Sequence, residues 1–443
     1  MLCKNQSTAF SAAPAPPCWA PPYCPEPYCL AVGLGADSAS ATSLIGCPTS
    51  AGVITCTFSY TGRATDWTVP AGITRLIVGA DGGSGASAGS TTIIDADTGG
   101  GSGSKGGGTG GNGGEYQAAL SGIPPGTVLS IFPGGAGNGT VGGLDAGSGG
   151  GSSTTDFNGN SGGGGGGAST VAVGGDQLVV AGGGGGAGAE NVIPERKTQL
   201  TGGTRDGLGA ENQAAVPSAN GGNGGGSGGV NGADGTPSTA GTEGGGGSTT
   251  SATGGANGGA DGCSSSATDG SQLQGGNSNS GKCEFVGGGG GSGYYGGGGS
   301  AAGAGAGGGS AFPARATNVD GILVTPDTGV HATHTGNGRV TISYRRVPTH
   351  IRPNIFFNYH QTFTVTGTLD SHRSPVAGQP VIVSTGRLYL CAAITNSHGV
   401  AACVLSYAKS LAIWQHAGRY TVRFPGSGGY LPSSANGQAI IYP

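Results

Sequence analysis

Continuous glycine runs at Gly162–Gly167, Gly182–Gly186 and Gly287–Gly291 constrain this chain more than any other feature. Glycine fills 104 of 443 positions, most of them between residues 82 and 311. A residue without a side chain cannot react, ligate a metal or fill an apolar core, so this region acts through backbone and shape. Two structures are open to it. As a flexible coil it would avoid losing about 1–2 kcal/mol of backbone entropy per fixed residue, a loss greatest for glycine. As ordered structure it would form extended helices of three residues per turn, packed closely enough for their backbones to hydrogen-bond to one another. Each such bond nets only about 0.5–1.5 kcal/mol, so a bundle of this kind needs a frame. The runs are continuous and do not follow the Gly-X-Y period of collagen.

The frame is legible in the intervening segments. Ile54, Cys56, Phe58 and Tyr60 alternate with polar Thr55, Thr57 and Ser59, the period of a half-buried strand. Trp67–Val69, the turn Pro70-Ala71-Gly72 and a returning strand over Ile73–Ala80 predict a first hairpin. Glu115–Leu120, Pro124-Pro125-Gly126 and Thr127–Phe132 predict a second; Ser169–Val173, Gly174-Gly175-Asp176 and Gln177–Ala181 predict a third. Ile322–Val324 and Arg339–Tyr344 close the region, and segments of helical period are essentially absent. The expectation for residues 51–346 is therefore mainly β: hairpins framing poly-glycine helices of polyproline-II type. The stretch Asn191–Gln274, richer in Ser, Thr, Asn and Asp, is expected to be a mobile insertion. Residues 1–50 read as a Pro/Cys-rich leader or linker.

The succession Phe58-Ser59-Tyr60-Thr61-Gly62, Trp67-Thr68-Val69-Pro70-Ala71-Gly72, Gly113-Gly114-Glu115-Tyr116, Val171-Ala172-Val173-Gly174-Gly175, Tyr294-Tyr295-Gly296-Gly297 and Gly338-Arg339-Val340-Thr341-Ile342 resembles a glycine-rich domain of bacterial secreted and surface proteins. It is similar in kind to the extracellular glycine-rich domain of the anaplastic lymphoma and leukocyte receptor tyrosine kinases. That resemblance implies strands around a poly-glycine helix bundle, and it imports no kinase, because no kinase signature occurs in the chain. From Val347 glycine falls to ordinary levels and short alternating strands follow: Phe363–Leu369, Pro380–Ser384, Leu388–Thr395, Val400–Leu405 and Tyr420–Phe424. Asn396-Ser397-His398-Gly399 joins two of them as an expected hairpin. The pattern Cys391-Ala392-Ala393-Ile394-Thr395-Asn396…Gly399-Val400-Ala401-Ala402-Cys403, with Ala417-Gly418-Arg419-Tyr420-Thr421-Val422 and Tyr430-Leu431-Pro432-Ser433-Ser434, resembles a bacterial immunoglobulin-like repeat domain. It implies an immunoglobulin-like β-sandwich over residues 347–443, a spacer or adhesive module, with further repeats expected beyond Pro443.

Ten cysteines include three close sequential pairs, Cys47 with Cys56, Cys263 with Cys283 and Cys391 with Cys403. None has the Cys-x-x-Cys spacing of a zinc or redox site, so they read as disulfides formed in an oxidising compartment. The expected location is extracellular or cell-surface, although residues 5–29 are polar and proline-rich and present no signal-peptide apolar run. No stretch approaches the ~20 apolar residues of a membrane span. With 18 Lys and Arg scattered along the chain and a net charge of −4, no basic stripe is available for nucleic acid.

Motifs of catalysis are weak. Gly276 to Lys282 has phosphate-loop spacing, but Cys283 stands where a Ser or Thr would hold magnesium, and neither flank fits. His331 and His334 read as a surface pair, and Asp95 and Asp97 as residues of a solvated loop. No cofactor or metal is expected. Tyr294 and Tyr295, between two glycine runs, are the possible contact site: either they stack on a sugar or a partner protein, or one of them caps the bundle. The whole reads as a non-enzymatic extracellular structural or adhesive protein, with cell-envelope or host-surface glycans or proteins as partners. The alternatives are a specific glycan- or protein-binding module, or the accessory region of a secreted enzyme whose catalytic domain lies elsewhere.

Overall fold

A computed structural model describes residues 47–89, 92–93, 103–104, 108–147, 149–155, 161–189, 267–278, 286–301, 304–313, 315–327, 331–358 and 362–439. The Pro/Cys-rich leader, most of the expected mobile insertion, Asp95, Asp97, Cys263 and Cys283 lie outside them.

The fold is mainly β, in antiparallel sheets. In the glycine-rich part the strands used below are β1 (Val53–Ser59), β2 (Thr65–Thr68), β3 (Arg75–Asp81), β4 (Gly113–Ser121), β5 (Val128–Phe132), β6 (Ser169–Val173), β7 (Asp176–Ala181), β8 (Ile322–Pro326) and β9 (Arg339–Arg345). An eight-stranded sheet runs Thr49–Ser50, β1, β9, β3, β4, β8, Thr317–Val319, with His331–His334 also paired to β4. A four-stranded sheet runs β7, β6, β5, β2. Alternation decides which side faces in: Ile54, Cys56 and Phe58 of β1, Leu76, Val78 and Ala80 of β3, and Val340, Ile342 and Tyr344 of β9 are all buried. They share one core with Leu129 and Ile131 of β5, Val171 of β6 and Val179 of β7. Trp67 of the smaller sheet meets Tyr344 of the larger, ring centroids 6.0 Å apart.

Only the third expected hairpin is one. Β6 and β7 pair through the two-residue loop Gly174-Gly175, both at positive φ (57° and 103°), as such a tight turn requires. The other two turns are corners. Pro70-Ala71-Gly72 leads from β2 in the small sheet to β3 in the large one, and Pro124-Pro125-Gly126 leads back from β4 to β5. The real partners are exchanged: β2 pairs with β5, and β3 with β4. Val69 N–H donates to the Thr127 carbonyl and Gly126 N–H to that of Val69, each at 2.9 Å, which ties one corner to the other. Buried Val69, Ile73 and Ile123 close the end of the core there, and that burial is why the chain crosses between sheets instead of doubling back.

The C-terminal part has strands β10 (His350–Asn358), β11 (Thr362–Ser371), β12 (Pro380–Thr385), β13 (Leu388–Ile394), β14 (Val400–Val404), β15 (Arg419–Phe424) and β16 (Ser433–Gln438), with helix α1 (Tyr407–Gln415) between β14 and β15. One four-stranded sheet joins β10, β11, β14 and Ser374–Pro375; the other runs β13, β12, β15, β16. Both contribute to a single core, Val365 and Leu369 from the first, Val383, Leu390, Val422 and Phe424 from the second. The expected hairpin across Asn396–Gly399 does not form, because β13 and β14 belong to different sheets. The Cys391–Cys403 disulfide is present and links those two sheets, and Cys47–Cys56 ties the residue before Pro48 to β1.

The two parts meet at the first corner. Val347 forms a parallel bridge with Tyr430, its N–H donating to the Gly429 carbonyl at 2.8 Å while Leu431 N–H returns to its own carbonyl at 2.9 Å. A Cβ at Gly72, whose φ is +82°, would lie 2.4 Å from the Tyr430 ring, so the turn can be followed this closely only by a glycine. No helix among the described residues is long and apolar enough to cross a membrane.

Candidate functional site

The glycine runs form a lattice of backbone hydrogen bonds. Every amide of Gly162–Gly167 donates to another segment. Gly163 and Gly166 bond the carbonyls of Ala187 and Gly184 (2.8 and 2.7 Å); Gly164 and Gly167 bond those of Gly139 and Gly135 (both 2.8 Å); Gly162 and Gly165 bond those of Thr154 and Gly151 (3.2 and 2.9 Å). Residues three apart thus address the same neighbour. The space where a Cβ would stand obeys the same recurrence. At Gly163 and Gly166 it is filled by the carbonyls of Ala86 and Gly83 (1.9 and 2.0 Å), at Gly164 and Gly167 by those of Val141 and Leu144 (2.3 and 2.2 Å), and at Gly162 and Gly165 by those of Gly287 and Gly290 (2.2 and 2.0 Å). Glycine is required here by close approach on every side, since none of these residues has a positive φ.

Among the described residues, one buried carboxylate is built into the lattice. Asp145 is buried; its Oδ1 accepts from the N–H groups of Gly147 (2.6 Å) and Gly149 (2.9 Å), and its Oδ2 from the Ser292 hydroxyl. Ser292 Oγ in turn accepts from Ala168 N–H at 2.6 Å. Burial pushes the Asp145 carboxyl above the ordinary carboxylate range, against the hydrogen bonds from Ser292 and the backbone that pull the other way. The group cross-links the turn after Leu144 to the run before Gly293, and nothing in local sequence distinguished it from any loop aspartate.

Tyr294 and Tyr295 emerge at a margin of this lattice, both half-buried. Their backbones are held by Ser310: Tyr294 N–H donates to its carbonyl (2.9 Å), Tyr295 N–H to its hydroxyl (3.0 Å), and Ser310 N–H to the Tyr295 carbonyl (2.9 Å). The Tyr294 ring stacks on Phe312 with centroids 4.1 Å apart and planes at 18°, and meets Tyr295 edge-on at 5.0 Å. Burial, and then the neighbouring Tyr295 phenol, raise the Tyr294 pKa. Phe312 is fixed by a pair of 3.0 Å bonds to Val180 of β7 and precedes a cis proline, Pro313, whose carbonyl accepts from the Tyr116 hydroxyl. Three half-buried rings therefore stand together on one rigid support. Sequence reading found two of them; Phe312 reaches the group only through the pairing of its segment with β7.

A second aromatic surface lies on the C-terminal part. Tyr407, Leu411 and Trp414, at positions i, i+4 and i+7 of α1, are exposed at 56%, 42% and 36%, so the outer face of the helix is apolar. Trp414 stacks on Phe363 at 5.8 Å, and Phe363 meets exposed Phe357 at 5.7 Å. Beside them Lys409 Nζ sits 5.8 Å from the Tyr389 ring.

Of the other residues singled out in the sequence, His334 lies 3.8 Å from Asp81 and its Nε2 2.7 Å from the Asn337 carbonyl, while Asp81 is engaged by Arg339 at 2.9 Å. Among the described residues no group of three His, Cys, Asp or Glu is placed to hold a metal. Lys282 of the phosphate-loop-like segment lies outside the described residues. No protein-family model matches the chain, and no curated protein is significantly similar to it.

Proposed function

We propose that this chain is a non-enzymatic extracellular protein with a structural or adhesive role at a cell surface. In this reading a rigid block of poly-glycine helices of polyproline-II type, framed by β-strands, is joined to an immunoglobulin-like β-sandwich. The observation that carries it is the three-residue recurrence along Gly162–Gly167, where each amide is bonded and each Cβ position is occupied by another backbone. Three residues per turn is the repeat of a polyproline-II helix. A block built this way has no interior room for a substrate and transmits load through many backbone bonds. Two disulfides fit an oxidising environment, and two sheets sharing one core fit a sandwich.

A second reading, a glycan- or protein-binding module, is favoured by the Tyr294–Tyr295–Phe312 group, because half-exposed rings on an immobile backbone present contact area at little entropic loss. The test is binding of the full-length oxidised chain to arrayed cell-surface glycans and to intact cell envelopes, with Tyr295→Ala alongside. A structural role predicts no saturable glycan binding and no effect of the substitution. Saturable binding that Tyr295→Ala abolishes, in a protein whose melting profile is unchanged, replaces the structural reading with the binding one.

A further inference from the structure

The outer face of the eight-stranded sheet carries a cavity of about 350 Å³ at the end where the chain leaves for the C-terminal part. Its floor and wall are largely apolar, formed by Val53 of β1, Ile77 of β3, Ser343 of β9 and Val347. Arg75 and Arg345 line it as well. Their placement follows from register. Ser343 of β9 stands opposite Ile77 of β3 as the last pair of that ladder, and Arg345 and Arg75 lie two residues beyond it on their own strands. Both are exposed, and neither forms an ion pair among the described residues, where the three salt bridges involve other groups.

The opposite end of that ladder shows how these strands treat an arginine with a counter-charge. There Arg339 stands across from Asp81 and bonds it through Nε and Nη2, each at 2.9 Å. At the cavity end two arginines, Arg75 and Arg345, line one recess and no carboxylate lines it with them. Two planar guanidinium forks lining a largely apolar recess match a carboxylate carried on an apolar body, and the recess falls within the usual size of ligand sites, about 300–1,000 Å³. The wall is firmly placed, because Val347 is bonded on both sides to Gly429 and Leu431.

We propose that this cavity binds an apolar molecule that ends in a carboxylate. The carboxylate lies between Arg75 and Arg345, and the apolar portion rests on Val53, Ile77 and Val347. A free fatty acid and an apolar peptide with a free C-terminus share this chemistry. The proposal stands apart from the structural reading, since it uses neither the glycine lattice nor the aromatic group.

Isothermal titration of the full-length oxidised chain tests it, using octanoate and the peptide N-acetyl-Leu-Leu, each against its uncharged amide. Saturable 1:1 binding of at least one acid is expected, weakened about tenfold or more for its amide and in Arg75→Gln or Arg345→Gln, the effect of losing a charge-assisted pair. Ile77→Trp, which fills the recess, is expected to abolish binding, with circular dichroism and melting temperature confirming the fold. Which acid binds identifies the source, lipid or chain terminus. Absence of saturable binding for both acids, equal affinity for acid and amide, or unchanged affinity in both Arg75→Gln and Arg345→Gln overturns the proposal.

Discussion

Glycine serves two separate purposes in this chain, and single substitutions distinguish them. At Gly164 the obstacle is space, since an added Cβ would lie 2.3 Å from the Val141 carbonyl oxygen, part of a backbone that is itself hydrogen-bonded. Gly164→Val is expected to destabilise the protein by about 3 kcal/mol or more, the upper range of overpacking. At Gly126 the obstacle is conformation: φ is +86° and nothing lies within 4 Å of the Cβ position. Gly126→Ala should therefore cost only about 1–2 kcal/mol. Urea unfolding of the two variants checks the contrast, and equal losses would remove the steric argument. Asp145 permits a second residue-level prediction. Its pKa is raised in the folded state above the ordinary 3.8, so the native protein binds this proton more tightly than the unfolded chain. The resulting stability is complete below the unfolded value and is lost as pH rises through the folded one. Relative to Asp145→Asn, the wild-type protein should lose stability as pH is raised from about 4. Parallel stability–pH curves for the two proteins would contradict this.

Among the elements, strands were more legible than their pairing. The alternation of Ile54, Cys56 and Phe58, or of Val340, Ile342 and Tyr344, reports which side is buried and so locates β1 and β9. It does not report the neighbour. A corner and a hairpin share the same Pro–Gly turn chemistry, and what separates them here is burial of Val69, Ile73 and Ile123, a tertiary fact. Elements without apolar alternation were missed altogether. Β16, Ser-Ser-Ala-Asn-Gly-Gln, is an edge strand held by its pairing with β15. Β10 contains Pro353, tolerated because β10 is also an edge. Helix α1 has apolar residues on both its buried and its exposed sides, which erases the usual one-sided period. The cysteine pairs, by contrast, were read from spacing, and the disulfide between Cys391 and Cys403 does more than staple a turn. It ties two sheets together. The double variant Cys391→Ser/Cys403→Ser is expected to lose about 2–4 kcal/mol and to exchange faster across β13 and β14. Unchanged urea midpoints would show that the shared core alone holds the sheets.

For the molecule as a whole, the decisive question is whether the glycine lattice is as rigid as its hydrogen bonds imply. Hydrogen exchange by mass spectrometry on the full oxidised chain should show Gly162–Gly167, Gly182–Gly186 and Gly287–Gly291 protected far longer than the exposed turn Gly174-Gly175. Complete exchange of the three runs within seconds would reduce them to an extensible tether and leave the C-terminal part as the working surface. Composition and periodicity by themselves determined that the chain is mainly β, that its centre is backbone without side chains, and which nearby cysteines could bridge, because each of these properties is local. Only the tertiary structure decided that the first two turns are corners, that Phe312 joins the tyrosines, that Asp145 is buried, and that Arg75 and Arg345 share a cavity. Those facts depend on which segments become neighbours, and in a glycine lattice the neighbours are chosen by backbone carbonyls and amides, which every residue but proline carries alike and no side-chain pattern marks.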